Sequence, residues 1–325
     1  MSSFTTWTLT DGSAGMVSQV IGLAEALGFP ATNKLVHRQR WTGILPTNCT
    51  WRALMALTPD SDRLGPPYPD ILVSCGRRSI ALALALKKLR GDKIYTIHIQ
   101  DPRCNCEALD TIIVPKHDRL RGPKVLTTAW ALHRLNQQKL ATGKEQFQAR
   151  VARYPGPYTT VLLGGSTRGN KIIDETIRSL VAMLQQTLAA TPGSLLITPS
   201  RRTDLPILAA LRVAFVDHPR VWLVDLATEE NPYMGFLAHA STILATDDSV
   251  NMISEACYTG QPVYILPFQG QKRSKARSFF KEMEKAGYVR PFSGNFERWE
   301  YTPLDEAGEI AKMLLPKIER LFGSN

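Results

Sequence analysis

Long apolar runs are missing from this sequence. The most apolar stretch, Ile80-Ala-Leu-Ala-Leu-Ala-Leu86, falls far short of the roughly 20 residues a membrane-spanning helix needs. Lysine and arginine are missing from the first 33 residues, so neither the basic start of a secretory signal nor a mitochondrial presequence is expected. Cysteine is scarce. Five in 325 residues, an odd number in a chain long enough to bury its own cores, read as free thiols in a reducing, cytoplasmic setting rather than as a disulfide framework. Cys104-Asn-Cys106 hints weakly at a metal, but no second Cys/His pair has zinc-like spacing. The expectation is no metal, no disulfide and no cofactor. A strong charge of one sign is missing too. Lysine plus arginine exceed the acids by 39 to 29, a net +10, which is too mild and dispersed for nucleic acid. That balance suits smaller or flatter anions: a nucleotide, a phosphorylated lipid, or an acidic membrane surface reached from the cytoplasmic side.

What is present is a series of strand–turn–helix units. The clearest runs from Thr242 to Phe268. Short apolar strands, Thr242–Ala245 and Pro262–Pro267, flank a helix that starts at Asp247-Asp248-Ser249 and stops at Gly260, making a βαβ unit that requires a parallel sheet. On that helix Val250, Ile253 and Cys257 form the packing stripe, while Asp248, Asn251 and Glu255 form a polar one. The polar stripe begins where free N–H groups favour an anion, and open α/β sheets bind nucleotides at the carboxyl ends of their strands. Glu255 lies about two turns in, placed for a ribose diol. The plain alternative makes Asp248 a helix cap and Glu255 a solvated residue.

The first half carries comparable units. Trp7–Thr10 leads into Asp11-Gly-Ser-Ala-Gly15, and the apolar strand from Pro69 runs into Gly76-Arg77-Arg78. The strand Lys93–Gln100 ends at Asp101-Pro-Arg103, and Thr111–Val114 runs into Pro115-Lys-His-Asp118. With all strands parallel, Ser74, Gly76, His98, Gln100, Asp101, His117 and Asp118 line one rim, although a single histidine is more often structural. A long polar helix, Leu132–Val151, then breaks at Arg153-Tyr-Pro-Gly-Pro-Tyr158, which marks the expected domain boundary. In the second half, Gly164-Gly165-Ser166 follows a strand and lets a ligand or a neighbouring backbone approach closely. Ser200-Arg201-Arg202 at another strand end suits a pyrophosphate.

Two such halves look like a GT-B architecture, an α/β fold of two Rossmann-like domains facing across a cleft. Gly164-Gly165-Ser166, Ser254-Glu255-Ala256, Gly260-Gln-Pro262 and Leu266-Pro-Phe268 resemble the lipid-linked N-acetylglucosaminyltransferases of peptidoglycan synthesis and the UDP-sugar 2-epimerases. Over nearly the whole chain, Asp11-Gly-Ser-Ala-Gly15, Ser74-Cys-Gly-Arg-Arg78, His98-Ile-Gln-Asp-Pro102, Pro115-Lys-His-Asp118, Ser200-Arg-Arg202, Asn231-Pro-Tyr233 and the Asp248–Ala256 run resemble the family of the plant fission factor called elongated mitochondria, which also has bacterial members; the chain reads as a bacterial-type one. The proline–glycine break gives expected domains over 1–152 and 158–302, with 303–325 as an amphipathic helix packing back on the first. The resemblance implies a nucleotide-diphospho-sugar held by Gly164, Gly165, Ser166, Arg201, Arg202, Asn231, Ser249, Asn251, Ser254 and Glu255. It also implies a glycosyl transfer to an envelope or lipid-linked acceptor. The histidine that the lipid-linked transferases carry in the first glycine-rich loop is absent, which leaves Asp11, His98 and Asp101 as candidate catalytic groups. Two other readings are an adaptor that keeps the fold for a protein partner, as the plant members work with dynamin-related proteins at the mitochondrial surface, and a UDP-sugar 2-epimerase.

Overall fold

A computed structural model describes residues 4–37, 50–105, 107–166, 171–268 and 275–323. The expected insertion from Trp41, the Cys104–Cys106 pair as a pair, and the basic segment from Gln269 fall wholly or partly outside the described residues. The chain divides into two compact units, residues 1–134 with 305–325, and residues 135–304.

The first unit is one parallel sheet. Its strands are β1 (Thr6–Thr10), β2 (Ala31–Leu35), β3 (Ile71–Cys75), β4 (Tyr95–Ile99), β5 (Thr111–Pro115) and β6 (Val125–Thr128), in the order β2-β1-β3-β4-β5-β6. β1, β3 and β4 are buried along their whole length. Their near-continuous apolar and β-branched sequences are what a strand covered on both faces requires. Helix α1 (Ala14–Leu27) ends in Gly28 at φ 76°, a left-handed conformation that glycine adopts without a Cβ penalty. It shares one face of the sheet with the C-terminal helix, while α2 (Thr50–Met55) and α3 (Ile80–Arg90) cover the other. The apolar run that is too short for a membrane is α3, buried from Ile80 to Lys87.

In the second unit a six-stranded parallel sheet runs in the order β12-β11-β10-β7-β8-β9. The strands are β7 (Tyr158–Leu163), β8 (Ser194–Pro199), β9 (Val221–Leu223), β10 (Thr242–Thr246), β11 (Val263–Leu266) and β12 (Val289–Pro291). Helices α5 (Asp174–Ala190) and α6 (Leu205–Phe215) fill one face around Leu184, Ile197 and Leu211. On the other, α4 (Gln137–Val151) and α7 (Tyr233–His239) enclose Phe147, Trp222 and Phe236. Helices α8 (Val250–Tyr258) and α9 (Lys275–Lys285) follow β10 and β11.

One boundary differs from the sequence expectation, for a physical reason. The polar helix α4 belongs to the second unit, because its buried face packs on α7 and its last turn reaches the second sheet. There Arg150 pairs with Glu229 and lies 4.3 Å above the Trp222 ring. The proline–glycine break after it therefore joins α4 to β7 within that unit. The tail, α10 (Glu306–Gly323), sits in the first unit, with Ile310, Leu314 and Ile318 among the residues around Val20 and Leu23. Glu306 accepts the N–H groups of Ala129 and Trp130 at 2.6 and 3.0 Å, which pins the helix start to the end of β6. No helix among the described residues is long and apolar enough to cross a membrane.

Candidate functional site

In the second sheet the chain runs outward from β7 through β8 to β9, then returns to lay β10, β11 and β12 on the other side. The carboxyl ends of β7 and β10 therefore flank a topological switch point, the place where such sheets leave a crevice above their strands. Gly164 and Gly165 leave β7 there, and Thr246, Asp247 and Asp248 leave β10.

Asp248 organises this crevice. Its side chain is completely buried. It accepts the Thr246 hydroxyl at 2.6 Å, the Gly165 N–H at 3.2 Å and the Arg202 guanidinium at 2.8 Å. Thr246 Oγ1 in turn accepts the Gly164 N–H at 2.8 Å. The two glycines are dictated by this packing. A Cβ on Gly164 would lie 1.8 Å from Asp248 Oδ1, and one on Gly165 would lie 1.7 Å from the Arg202 carbonyl oxygen. Of the two reasons for close approach expected from sequence, the neighbouring chain accounts for both glycines. Asp248 is not the helix cap: Ser249 takes that place, accepting the Met252 N–H at 3.4 Å.

Arg202 is fixed from three directions. Asp248 holds its side chain, Gly165 lies against its carbonyl, and Ser200 Oγ accepts its N–H at 3.2 Å. Its side chain is still 45% exposed, so the guanidinium presents donors to solvent. Arg201 beside it is exposed and makes no ion pair among the described residues. Ser166 is less available than its position suggests. Its N–H and hydroxyl both donate to Asp204 Oδ2, at 2.9 and 2.7 Å, and its oxygen accepts the Ile172 N–H at 3.2 Å.

On α8, Ser254 is fully buried and its hydroxyl donates to the Val250 carbonyl at 2.9 Å. Asn251 is partly buried in the first turn of the helix. Glu255 is not a solvated surface residue: it is 9% exposed and accepts the Tyr233 hydroxyl on Oε2 at 2.6 Å. Burial first, and then the Glu255 charge, push the Tyr233 phenol pKa well above its ordinary value, so the phenol keeps its proton and donates. Asn231 is exposed, and its Oδ1 accepts the Tyr233 N–H at 3.1 Å.

The three candidate catalytic groups are placed differently. Asp11 lies at the first sheet's switch point, between β1 and β3, where Oδ2 accepts from Arg78 at 3.2 Å and Oδ1 from the Ser13 N–H at 3.1 Å. Asp101 closes its own turn, accepting the Arg103 N–H at 2.9 Å. His98 is not on the rim. It is fully buried, with Nδ1 2.8 Å from Ser74 Oγ, and burial lowers its pKa to about 3. A neutral, enclosed imidazole cannot collect a proton from a substrate. Its residue position in β4 was read correctly; the side chain alternates to the sheet face under α3. Among the described residues no cluster of three or more His, Cys, Asp and Glu has a metal-holding arrangement.

Sequence reasoning did not single out Thr246 and Asp204, nor Asp248 as the hub. The available signal was the place of Thr246 and Asp248 at or within two residues of the end of β10; Asp204, five residues past the end of β8, was marked only by its position just before a helix.

Two parallel α/β sheets of these strand orders give the chain a GT-B-like fold, and solved structures share it. A UDP-N-acetylglucosamine 2-epimerase homologue from Listeria monocytogenes matches 100% of this chain and 98% of its own, with a TM-score of 0.63 and 12% identity. MurG from Acinetobacter baumannii matches 99% and 94%, with a TM-score of 0.50 and 11% identity. At such identities the likeness is one of fold. The family model for mitochondrial fission ELM1 matches residues 14–318, and the chain belongs to that family. The mitochondrial fission protein ELM1 of Arabidopsis thaliana is 30% identical over 269 residues, which is 75% of this chain and 62% of the relative's length. An uncharacterized protein of Rickettsia prowazekii is 25% identical over 283 residues, 76% of this chain and 79% of the relative.

Proposed function

We propose that the carboxyl edge of the second sheet binds a nucleotide-diphospho-sugar. The observation that carries this is the buried Asp248 carboxylate holding a half-exposed Arg202 at the switch point, one helix start away from Glu255. A pre-set guanidinium supplies donors to a diphosphate without first paying to order a flexible side chain. Arg201 adds charge, and the start of α8 adds backbone N–H groups. Glu255, as a carboxylate, can only accept hydrogen bonds, so the ligand group it meets must be a donor, as a ribose hydroxyl is. Ser166 and Ser254 support the loop and the helix rather than the ligand. The Methanocaldococcus jannaschii UDP-GlcNAc 2-epimerase, which shares the fold with a TM-score of 0.56 and 14% identity, was solved with UDP-GlcNAc and UDP. That supports trying uridine nucleotides first.

The reaction best suited to such a ligand on this fold is transfer of the sugar to an envelope or lipid-linked acceptor, with the net +10 charge favouring an anionic membrane surface as the place of transfer. Asp11 and Asp101 are the remaining candidate bases, since His98 is enclosed. The Asp11–Arg78 pair also favours the second reading. Both Asp11 oxygens are already engaged, one by Arg78 and one by the Ser13 N–H, and a chain that binds the nucleotide without turning it over would be an adaptor of the fission-factor type.

Calorimetry with UDP, GDP and their sugars tests the binding. Glu255→Gln is expected to weaken the bound nucleotide by about 1.5–3 kcal/mol, roughly ten- to a hundredfold, with an unchanged thermal melt. Equal binding by both proteins, or by neither, would sink the assignment. Hydrolysis or transfer of the sugar during long incubation separates enzyme from adaptor.

A further inference from the structure

The support for Glu255 comes from outside its own helix, and its direction can be read from the contacts. Tyr233 opens α7, and α7 is locked in place by backbone-level packing. A Cβ on Gly235 would lie 2.8 Å from Phe147 Cβ and 2.9 Å from the Gly143 carbonyl oxygen, and one on Gly143 would lie 2.7 Å from Met234 Cβ. Helices α4 and α7 therefore touch where neither can carry a side chain. The Thr160 hydroxyl donates to the Phe236 carbonyl at 2.8 Å, tying α7 to the central strand β7. Asn231 Oδ1 fixes the Tyr233 N–H itself. The tyrosine is thus held independently of Glu255, and its hydroxyl reaches out to take one carboxylate oxygen.

We infer that Tyr233 is a positioning residue: its hydroxyl orients the Glu255 carboxylate so that it selects a ribonucleotide over a deoxyribonucleotide. This rests on the nucleotide reading above. A carboxylate offers about four acceptor directions, and at least one of them is spent on the phenol. With its pKa held well above the ordinary value by burial and the Glu255 charge, the phenol donates at neutral pH, and the carboxylate cannot swing to another rotamer without leaving that donor unpaired. The carboxylate then meets the ligand as a fixed acceptor. Two adjacent hydroxyls of a ribose can donate to it, whereas a 2′-deoxyribose loses one donor and leaves acceptor capacity unmet in a largely buried place. A site built to receive a hydroxyl discriminates strongly against the analogue lacking it.

The test compares UDP with 2′-deoxyuridine diphosphate on the full chain, for the wild type, Tyr233→Phe and Glu255→Gln, by calorimetry with thermal melts. Tyr233→Phe keeps the ring and removes only the hydroxyl. The wild type is expected to prefer UDP by about tenfold or more. Tyr233→Phe should lose about fivefold in UDP affinity while its affinity for the deoxynucleotide changes little, so that the preference shrinks towards that of Glu255→Gln. A merely structural hydroxyl would weaken both ligands together or neither. If Tyr233→Phe keeps the full preference, or loses both ligands in parallel, the positioning role is overturned while the nucleotide reading stands. If the wild type binds neither nucleotide, both fall together.

Discussion

At the first sheet's switch point, Gly76 has φ 85° and a Cβ there would meet the far end of the Met16 side chain, 2.5 Å from its sulfur. At the second sheet's, the Cβ positions of Gly164 and Gly165 are taken by a buried carboxylate and a backbone carbonyl. The acid of the first, Asp11, pairs with an arginine that is 58% exposed and touches nothing else so constraining. The acid of the second, Asp248, joins two strand ends and an arginine through three groups. The same topology has thus produced a yielding crevice in one unit and an over-determined one in the other. Preorganisation is what a binding site needs, and it is concentrated in the second unit.

The comparison can be broken by substitution. Gly165→Ala should cost the most, about 3 kcal/mol or more, because the backbone carbonyl it strikes cannot move without displacing Arg202 and Thr203. Gly76→Ala should cost only about 1–2 kcal/mol, from its positive φ and a methionine that can swing aside. Urea denaturation of both variants measures the gap, and equal losses would mean that the two crevices are alike. Asp248→Asn comes next, at about 2–3 kcal/mol, since it leaves a guanidinium facing a neutral group in a place built for charge. The same change at Asp11 should cost less, about 1 kcal/mol, because its carboxylate, though only 9% exposed, faces an arginine that is 58% exposed and an asparagine can still accept the Ser13 N–H. A melt in which Asp11→Asn is the more damaging of the two would reverse the ranking.

The first unit has a different signature, in acid. His98 has its folded pKa lowered to about 3 from 6.5, so the unfolded chain binds a proton that the folded chain refuses. Stability is complete above the unfolded value and is lost as pH falls from about 6.5 towards about 3, by at most about 1.4 kcal/mol per pH unit. Unfolding free energies of the wild type and His98→Leu, measured at pH 7, 6 and 5, should show a shallower acid slope in the variant. Parallel slopes would mean that the imidazole titrates normally and is not enclosed.

Much of the fold was legible because it is written in apolar periodicity. The βαβ unit from Thr242 to Leu266 and the strands around Ile71, Ile97, Ile112, Leu162 and Leu196 all announce themselves as short apolar runs ending in polar or glycine residues. Two of the edge strands, β2 and β12, did not. β2, Ala-Thr-Asn-Lys-Leu, is mostly exposed, so no burial pattern selects its residues, and β12 is only three residues long. The polar helix α4 could be found but not assigned, since its partner α7 lies some eighty residues further on. For the site, sequence gave the cluster of positions but not the division of labour. Spacing along a helix placed Glu255 on a polar stripe without showing that Tyr233 buries it. Strand alternation, which turns His98 under α3, was outweighed by its place near a strand end. A carboxylate at the start of a helix reads as a cap, and only the three-dimensional neighbourhood shows Asp248 turned instead towards Gly164, Gly165 and Arg202.

The most direct measurement is hydrogen exchange of the full chain with and without saturating UDP-GlcNAc. The account predicts slowed exchange in peptides covering Gly164–Ser166, Ser200–Thr203 and Ser249–Glu255, with no comparable change in those covering Asp11–Gly15 or Gln100–Arg103. Protection confined to the first unit, or none anywhere at a concentration that saturates a millimolar site, would contradict it.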